Sequence, residues 1–278
     1  MKAVYASTVN HADPLAALAV GEQPEPQARP FWSTVSVRAV TVNHHDVWSL
    51  QGVGLAAEQT PMILGTDAVG ILDEDIPGKH GLKAGSEVVL YTFVGTDGAG
   101  VAPGERRTIL SEKYPGTMAE KTSVPSANVF AKPASLTTAE AAALGTSWLT
   151  AYSLLFDAAG IKPGDSVLIQ GAGGGVSTAA IQLAHAAGLE VFVTSRDADK
   201  RSKALKLGAN AALEIGARLP RKVDAVIESV EKDGSDLLVT VRANVFTPFA
   251  YLMTSDDRVH YSDNYFKLYP GEAKTIRV

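Results

Sequence analysis

The sequence predicts an α/β fold that opens with a β-rich domain and closes with a tail of β-hairpins. Up to about residue 125, short apolar runs alternate with glycine and proline, which is typical of strands and turns. From Lys162 onward, short apolar strands alternate with amphipathic helices, the pattern of βαβ units on a parallel sheet. From about Glu231, alternating strand-like stretches return without helices between them.

The clearest strand of the β-rich domain is predicted in STVSVRAVTVN. Val35, Val37, Ala39 and Thr41 recur there at every second position, as on the buried face of a strand. MILGTDAVGILDE and GSEVVLY show similar patterns. The glycine-rich stretch GTDGAGVAPGERR predicts a surface loop.

An alanine-rich helix is predicted after this domain, in TTAEAAALGTSWLTAYSLLFDAAG. Thr137 or Thr138 can cap its N-terminus, and Gly160 follows its end. SVLIQ then predicts a buried strand. VSTAAIQLAHAAG predicts a helix that ends at Gly188, in the usual left-handed cap position.

A cluster of four glycines lies between that strand and that helix. A helix N-terminus presents unpaired N–H groups and a partial positive charge, and glycines let an anion approach it closely. The strict G-x-G-x-x-G spacing is absent, and glycines at a strand-to-helix turn also serve packing. Because a second strand follows the helix, we favour dinucleotide binding. The candidate contacts are Gly171, Ala172, Gly173, Gly174, Gly175 and Val176.

The end of the next strand, EVFVTS, indicates which dinucleotide is bound. An NAD site places Asp or Glu there to accept from the ribose 2′-OH. Here Ser195 and Arg196 stand at the strand end, with Lys200 and Arg201 one turn into the next helix. A hydroxyl and a guanidinium can bind a 2′-phosphate, which an acid would repel. NADPH is therefore the predicted cofactor; the alternative is a solvated helix start.

Composition narrows the class of protein. The net charge of −5 disfavours sequence-independent nucleic-acid binding, and the absence of cysteine excludes disulfides and thiolate zinc sites. No apolar run approaches the roughly 20 residues that span a bilayer, and the N-terminus lacks the apolar stretch of a signal peptide. By default we expect a cytoplasmic protein with no membrane partner.

Several segments in one order resemble the medium-chain dehydrogenase/reductase superfamily, from Met1 to about Val230. They are MKAVYAS, VSVRAVTVNHHDVWSLQG, PMILGTDAVGIL, PGTMAEKTSVPSANVFAKPASLTTAEAAALGTSWLTAY and GDSVLIQGAGGGVSTAAIQLAHAAG. The resemblance implies a GroES-like β-barrel catalytic domain over residues 1–125 and a Rossmann NADP-binding domain over 126–230. The family would continue with further strands, so we expect a truncated Rossmann parallel sheet whose last strand, DAVIES, has an open edge.

The resemblance also bears on metal binding. Zinc alcohol dehydrogenases of this superfamily carry a cysteine at the position of Asn43 and a His-Glu pair at Thr66 and Asp67. Residues 44–46 (His-His-Asp) are expected on an extended segment, where adjacent side chains point to opposite faces and do not share an ion. We predict no metal. The pattern resembles the zinc-free quinone oxidoreductase and enoyl-reductase-like branch.

That branch implies hydride transfer from NADPH to a small-molecule quinone or enone. By position, Asn43 would donate its amide to the developing oxyanion and His45 would donate a proton. His44 would lie near the pyrophosphate, and Thr146 and Thr150 beside the nicotinamide. The alternative for the two histidines is a solvated loop pair.

Three aromatic side chains are candidates for an apolar substrate pocket. They are Trp48, Phe93 and Trp148, of which Trp148 is expected to pack in the core instead. A homodimer is a possible assembly.

Residues 231–278 depart from the superfamily. SDNYFKLYPGEAKTIRV resembles the last β-hairpins of the C-terminal sandwich domain in β-mannosidase-type glycoside hydrolases of family 2, and LLVTVRA, AYLMTS and KTIRV predict strands. Two other functions therefore stay open. One is a non-catalytic or truncated NADPH-binding protein; the other, least favoured, is a carbohydrate-related module.

Overall fold

The protein forms two compact units, Met1–Leu213 and Glu214–Val278. The structure is a computed structural model that describes residues 1–79, 81–214, 225–243, 247–250, 266–268 and 271–278. No helix in these ranges has both the length and the apolar character needed to cross a membrane.

The first unit begins with a β-rich part. Its strands are β1 (Lys2–Ala6), β2 (Leu18–Glu22), β3 (Trp32–Ala39), β4 (Met62–Ile63), β5 (Val69–Leu72), β6 (Glu87–Leu90), β7 (Phe93–Ala99), β8 (Arg106–Ile109), β9 (Lys121–Pro125) and β10 (Val129–Ala131). They form a sheet in the order β2-β1-β4, a larger sheet in the order β10-β6-β5-β3-β9, and the hairpin β7-β8. Helix α1 (His44–Leu50) follows β3, and 3-10 turns occupy Pro14–Ala17, Ala57–Gln59 and Ser126–Asn128.

Strand β3 is central to the larger sheet, pairing with β5 on one side and β9 on the other. Val35 is fully buried and packs with Leu72, Val88 and Leu90 in one core cluster. Burial of such a side chain contributes about 1.5–3 kcal/mol. The strand predicted from the period-two pattern is confirmed, although it ends at Ala39, before Thr41.

The hairpin β7-β8 differs from the surface loop predicted for the glycine-rich stretch. Phe93 pairs with Ile109 and Ala99 pairs with Arg106, with an irregularity between. The loop prediction is therefore wrong for much of the stretch. Antiparallel pairing satisfies the backbone groups whatever the side chains are, so a glycine-rich sequence can still form strands.

A helical region connects the β-rich part to a parallel sheet. It comprises α2 (Thr138–Ala142), a π-helical turn at Leu144–Trp148, α3 (Leu149–Tyr152) and a π-helical turn at Ser153–Ala158. The Glu140 N–H donates to Thr137 Oγ1 at 3.3 Å, and the Thr137 N–H donates to Glu140 Oε2 at 2.9 Å. The predicted cap is thus Thr137, and Gly160 beyond the end has a positive φ of 59°. π-helical turns are frequent at functional sites.

The parallel sheet has the order β11-β12-β13, with β11 (Ser166–Gln170), β12 (Glu190–Thr194) and β13 (Ala211–Leu213). Helices α4 (Gly175–Ala186) and α5 (Ala198–Lys206) connect these strands. The predicted βαβ pattern is confirmed, as is Gly188 in the left-handed conformation after α4, with φ 78°. Trp148 packs against the core of this sheet, as expected.

Strand β11 is less buried than predicted. Leu168, at its centre, is 46% exposed, and the strand alternates between exposed and half-buried positions. β11 is an edge strand among the described residues, so nothing described there pairs with its outer side. The prediction of a buried strand is wrong for this reason.

The second unit is antiparallel. Its strands are β14 (Ala225–Asp233), β15 (Asp236–Ala243), β16 (Thr247–Ala250), β17 (Phe266–Leu268) and β18 (Ala273–Arg277). They form the sheets β14-β15-β18 and β16-β17. Arg277 joins the two ends of the β14-β15 turn, 2.7 Å from Asp233 and 2.9 Å from Asp236.

The segment DAVIES was expected as the last strand of the parallel sheet, but its described residues lie in β14. It pairs antiparallel with β15 from Ala225 to Asp233, so it is not the last strand of the parallel sheet, and the expected border at residue 230 falls inside it. Strand-like alternation of apolar and polar residues on both sides of a tight turn favours a hairpin between the two strands, here β14 and β15. The strands predicted at LLVTVRA and KTIRV are confirmed as β15 and β18. The strand predicted at AYLMTS lies outside the described residues except for Ala250.

Candidate functional site

The candidate site begins where the chain leaves β3 and enters helix α1. Asn43 is the N-cap of α1, with extended backbone angles, and helical residues follow. Asp46, buried in the first turn, accepts from the Asn43 N–H at 2.8 Å and from the Gly65 N–H at 3.0 Å. Burial raises the pKa of Asp46, against the effect of these two hydrogen bonds. The expected extended segment at 44–46 is therefore wrong, because Asp46 stabilises a helix start and ties it to the loop at Gly65.

A group of polar side chains surrounds the buried carboxylate of Asp67. Thr41 Oγ1 donates to Asp67 Oδ2 at 2.5 Å, and Asn43 Nδ2 donates to the same oxygen at 3.2 Å. Thr66 Oγ1 donates to Asp67 Oδ1 at 3.1 Å, and the Thr146 hydroxyl donates to that oxygen as well. The two threonine hydroxyls lie 2.9 Å apart, and Asn43 Nδ2 lies 3.1 Å from Thr66 Oγ1. We call these five residues the Asp67 cluster.

The cluster holds a carboxyl group where water does not reach. Asp67 and Thr66 are completely buried. Burial raises the pKa of Asp67 above its ordinary value of 3.8, and the hydrogen bonds from Thr41, Asn43 and Thr66 act in the opposite direction. The threonine hydroxyls can rotate to donate to the carboxylate or to accept from the carboxylic acid. The cluster can therefore hold Asp67 in either protonation state.

The donor set of this cluster does not suit zinc. It lies where the zinc-dependent members of the resembled superfamily carry their Cys and His-Glu residues. Its polar atoms here belong to hydroxyls, one amide and one carboxyl group, whereas zinc prefers thiolate, imidazole and carboxylate ligands. In the described part of the chain, no group of three or more His, Cys, Asp or Glu side chains could hold a metal ion.

His45 is directed away from the Asp67 cluster, toward the loop after β8. Its Nε2 lies 3.2 Å from Glu112 Oε1, and its Nδ1 lies 3.4 Å from Ser111 Oγ. Thr108 Oγ1 donates to the second Glu112 oxygen at 3.0 Å. Partial burial acts to raise the pKa of Glu112, but the hydrogen bonds from His45 and Thr108 outweigh it and the pKa is lowered. Glu112 thus presents a negative charge that fixes the imidazole ring.

His44 and Trp48 lie on α1 one turn apart. Their rings meet edge to face at a centroid distance of 5.1 Å, and Trp48 is 47% exposed. This is the contact that helical spacing gives to residues four apart. Both side chains lie at the surface of the β-rich part.

The glycine loop between β11 and α4 follows the predicted strand-to-helix turn. The N–H groups of Gly171 and Ala172 both donate to the Thr194 carbonyl, at 3.0 and 2.9 Å, and Ala172 is buried. The loop then exposes Gly173 and Gly174 before the first turn of α4, whose N–H groups have no partners within the helix. Gly173 has a φ of 95°, and a Cβ there would lie 2.9 Å from Lys200 Cδ. The Lys200 side chain therefore lies across the exposed part of the loop.

The end of β12 is built around Ser195. Ser195 is buried; its Oγ accepts from the Asp197 N–H at 3.2 Å, and its carbonyl accepts from Arg201 at 2.7 Å. Asp197 caps α5 by accepting from the Lys200 N–H at 3.0 Å, which lowers the pKa of Asp197. Arg196 and Lys200 are exposed. Of the predicted phosphate contacts, Lys200 adjoins the glycine loop, while Arg201 holds the backbone of Ser195.

Ser147 connects the glycine loop to the Asp67 cluster. Its Oγ donates to Asn43 Oδ1 at 3.4 Å. A Cβ on Gly175, at the start of α4, would lie only 2.7 Å from the same Ser147 Oγ. The π-helical turn at Leu144–Trp148 thus presents Thr146 to the cluster and Ser147 to the helix start.

An open groove of about 810 Å³ lies on the other side of this turn. Phe93, Thr150 and Gly145 line it together with several leucines, and a Cβ on Gly145 would lie 3.7 Å from Asp67 Oδ1. The groove therefore adjoins the Asp67 cluster. Of the predicted pocket aromatics, Phe93 lines this groove, whereas Trp48 and Trp148 do not.

Sequence reasoning gave no functional role to six residues of the site: Thr41, Thr66, Asp67, Arg107, Glu112 and Ser147. Thr66 and Asp67 were considered only as positions that lack zinc ligands. Thr41 was predicted on the inward face of β3 but stands just beyond its end, where its hydroxyl reaches Asp67. Ser147 lies inside the quoted segment LGTSWLTAY without a distinguishing signal. Arg107 is the last residue of the glycine-rich stretch and Glu112 follows it, and both come near the site because that stretch folds as a hairpin.

Comparison with known families agrees with this architecture. The profile of the alcohol dehydrogenase GroES-like domain matches residues 29–134, and the profile of an Ig-fold domain found in mannosidases matches residues 222–278. A GroES-like domain joined to a parallel sheet with a glycine loop defines the class of two-part dehydrogenases and reductases. Over residues 1–213 the chain belongs to the medium-chain dehydrogenase/reductase superfamily.

Individual relatives support this membership. Crotonyl-CoA reductase of Streptomyces avermitilis is 30% identical over 230 residues, covering 74% of this chain and 52% of the relative. The structure of an NAD-dependent alcohol dehydrogenase is 35% identical with a TM-score of 0.68, covering 77% of this chain and 64% of that one. The quinone oxidoreductase of Thermus thermophilus, solved also with NADPH, is 29% identical with a TM-score of 0.57, covering 77% and 60%.

The chain spans only part of its relatives. Its matches cover 34–60% of the length of the first curated relatives. The second unit matches the Ig-fold profile instead, as the resemblance of the tail to β-mannosidase-type enzymes predicts.

Proposed function

We propose that residues 1–213 form a zinc-independent, NADPH-dependent oxidoreductase that reduces a quinone or an activated alkene. The observation that carries this proposal is the link through Ser147, which sets the glycine loop beside the Asp67 cluster. The site for a diphosphate thus lies next to a buried polar cluster, and the donors of that cluster do not fit a metal ion. The similarity to a crotonyl-CoA reductase and to a quinone oxidoreductase solved with NADPH points to the same chemistry.

The glycine loop has the properties that a dinucleotide requires. Its exposed part offers backbone N–H groups and a positive φ at Gly173, and Lys200 supplies a cation above it. We assign the diphosphate to the loop and to His44. Arg196 and Lys200 would hold the 2′-phosphate at the end of β12, with the Ser195 backbone fixed by Arg201.

The reduction requires one hydride and one proton. When bound, NADPH supplies the hydride from C4, which adds to the β-carbon of an enone or to a quinone, and NADP⁺ leaves. We assign the proton to His45 by position; because both ring nitrogens are held by Glu112 and Ser111, this role requires the ring to turn toward the substrate. By position, the Asn43 amide would donate one of its two N–H groups to a developing oxyanion while Asp67 holds the other. The Thr146 hydroxyl donates its single proton to Asp67 and would help to hold that carboxyl group in place. Thr150 in the groove would lie beside the nicotinamide.

NADPH titration tests the cofactor assignment. We expect NADPH fluorescence to report stoichiometric binding, with Kd at least tenfold higher in Arg196→Ala and Lys200→Ala, because each removes a charge-assisted contact to phosphate. Lys203→Ala is the matched control, since Lys203 is an exposed cation on the same helix. Unchanged affinity in both test variants would refute the assignment of the 2′-phosphate site.

Turnover is measured separately, as oxidation of NADPH with a panel of quinones and enones. Oxidation that depends on both the protein and the electrophile is the expected result. Stoichiometric NADPH binding without oxidation against any acceptor would select the non-catalytic alternative instead.

A further inference from the structure

The groove beside the Asp67 cluster has an uneven distribution of charge. Leu149 and Leu154 are 37% and 56% exposed, and Phe130 is 51% exposed, so its walls are largely apolar. Among the described residues that line it, Arg107 is the one charged side chain. A groove with this lining favours a ligand with an apolar body and a single charged end.

Arg107 is held in place at this groove by two aromatic residues. Its guanidinium donates to Tyr91 Oη at 2.5 Å, and its Cζ lies 4.5 Å from the centre of the Phe93 ring. A guanidinium carries five N–H donors in a planar fork. In the part of the chain that the structure describes, no carboxylate lies at ion-pair distance from the remaining N–H donors of the Arg107 guanidinium. Arg107 therefore presents an oriented cation that no described side chain neutralises.

We propose that Arg107 binds an anionic group of the substrate, so that the groove selects quinones or activated alkenes carrying a carboxylate or a similar anion. This inference rests on the proposed function for the identity of the reacting group. The anion would pair with the fork of Arg107, and the apolar body would lie along Phe93 and the leucines toward Thr150. Planar carboxylates match a guanidinium through two parallel hydrogen bonds.

Benzoylacrylate and its ethyl ester form a suitable pair of substrates, since they share the enone and the aromatic body and differ in charge. We expect Arg107→Met to raise KM for the acid at least tenfold and to change KM for the ester by less than twofold. Arg106→Met is the matched control, because Arg106 is exposed and adjacent on β8, where neighbouring side chains point to opposite faces. It should leave both KM values unchanged.

Binding is also measured without turnover, so that failure of the proposed chemistry leaves the test intact. Calorimetry with benzoylpropionate, the saturated acid, should show a Kd at least tenfold weaker in Arg107→Met than in wild type. If Arg107→Met raised KM equally for the acid and the ester, the proposal would be overturned, because Arg107 would then act only by packing on Phe93. Equal affinity of wild type and Arg107→Met for the saturated acid would also overturn it.

Discussion

Asp67→Ala tests the buried polar cluster through the stability of the first unit. The substitution removes the acceptor of four donors, from Thr41, Asn43, Thr66 and Thr146. Asn43 keeps a contact to Thr66, and the Thr66 and Thr146 hydroxyls can pair with each other. One or two donors are then left unsatisfied at about 1–3 kcal/mol each, so we expect a loss of about 2–5 kcal/mol.

Asp67→Asn has the same shape and costs less. Its oxygen can face Asn43 and Thr41, and its NH₂ can face Thr66 and Thr146, whose hydroxyls rotate to accept. We expect a loss of about 1 kcal/mol near neutral pH. Tryptophan fluorescence during urea unfolding measures both variants, because Trp32, Trp48 and Trp148 all lie in the first unit.

The pH dependence gives a sharper test than the size of the loss. The pKa of Asp67 is raised on folding, so the folded protein keeps a proton that the unfolded chain releases above its ordinary pKa of 3.8. The stability of wild type therefore falls as pH rises through the folded pKa, whereas Asp67→Asn lacks this titration. Asp46, also with a raised pKa, is present in both proteins, so its contribution largely cancels in the difference.

The difference in unfolding free energy between wild type and Asp67→Asn should thus shrink as pH rises from about 4 to about 8. Asp157→Asn, which changes an exposed carboxylate, is the control and should show no such trend. A difference that stays constant over this range would refute the burial-driven shift at Asp67. An Asp67→Ala variant as stable as wild type would refute the importance of the cluster for folding.

Two further predictions concern the proposed cofactor and proton sites. Gly173→Ala should weaken NADPH binding at least tenfold, because the methyl group displaces Lys200 and the φ of 95° is strained for alanine. Gly164→Ala is the control, since Gly164 has a similar φ of 92° but lies in open space. It should lower stability by a similar amount and leave the NADPH affinity measured by titration unchanged. His45→Ala should lower kcat by about 10²-fold or more with little change in NADPH affinity, as expected for a proton donor. The reverse pattern in steady-state kinetics would remove that role, and exposed His11→Ala serves as the control.

Local sequence patterns predicted much of the first unit. The alternation around Val35 defined β3, the cap at Thr137 defined the start of a helical region, and Gly188 marked the end of α4. These features depend on residues close together in the chain, so the sequence alone carries the signal. The glycine loop is of the same kind, since strand, turn and helix follow one another directly.

The composition of the Asp67 cluster was decided by tertiary structure. Thr41, Thr66 and Thr146 come from three separate segments, and no local pattern relates their hydroxyls to one carboxylate. The pairing of His45 with Glu112 likewise depends on a hairpin that the sequence predicts as a loop. Long-range hydrogen bonds of this type are set by packing of whole elements and leave no periodic trace.

The sequence by itself determined that a β-rich part precedes a βαβ unit with a glycine-rich turn, because hydrophobic period and turn residues encode both. The tertiary structure decided which polar side chains share a buried site, how exposed β11 is, and that β14 belongs to the antiparallel second unit. The physical reason is that burial and strand pairing depend on partners distant in the chain, whereas helix ends and tight turns are specified by a few neighbouring residues.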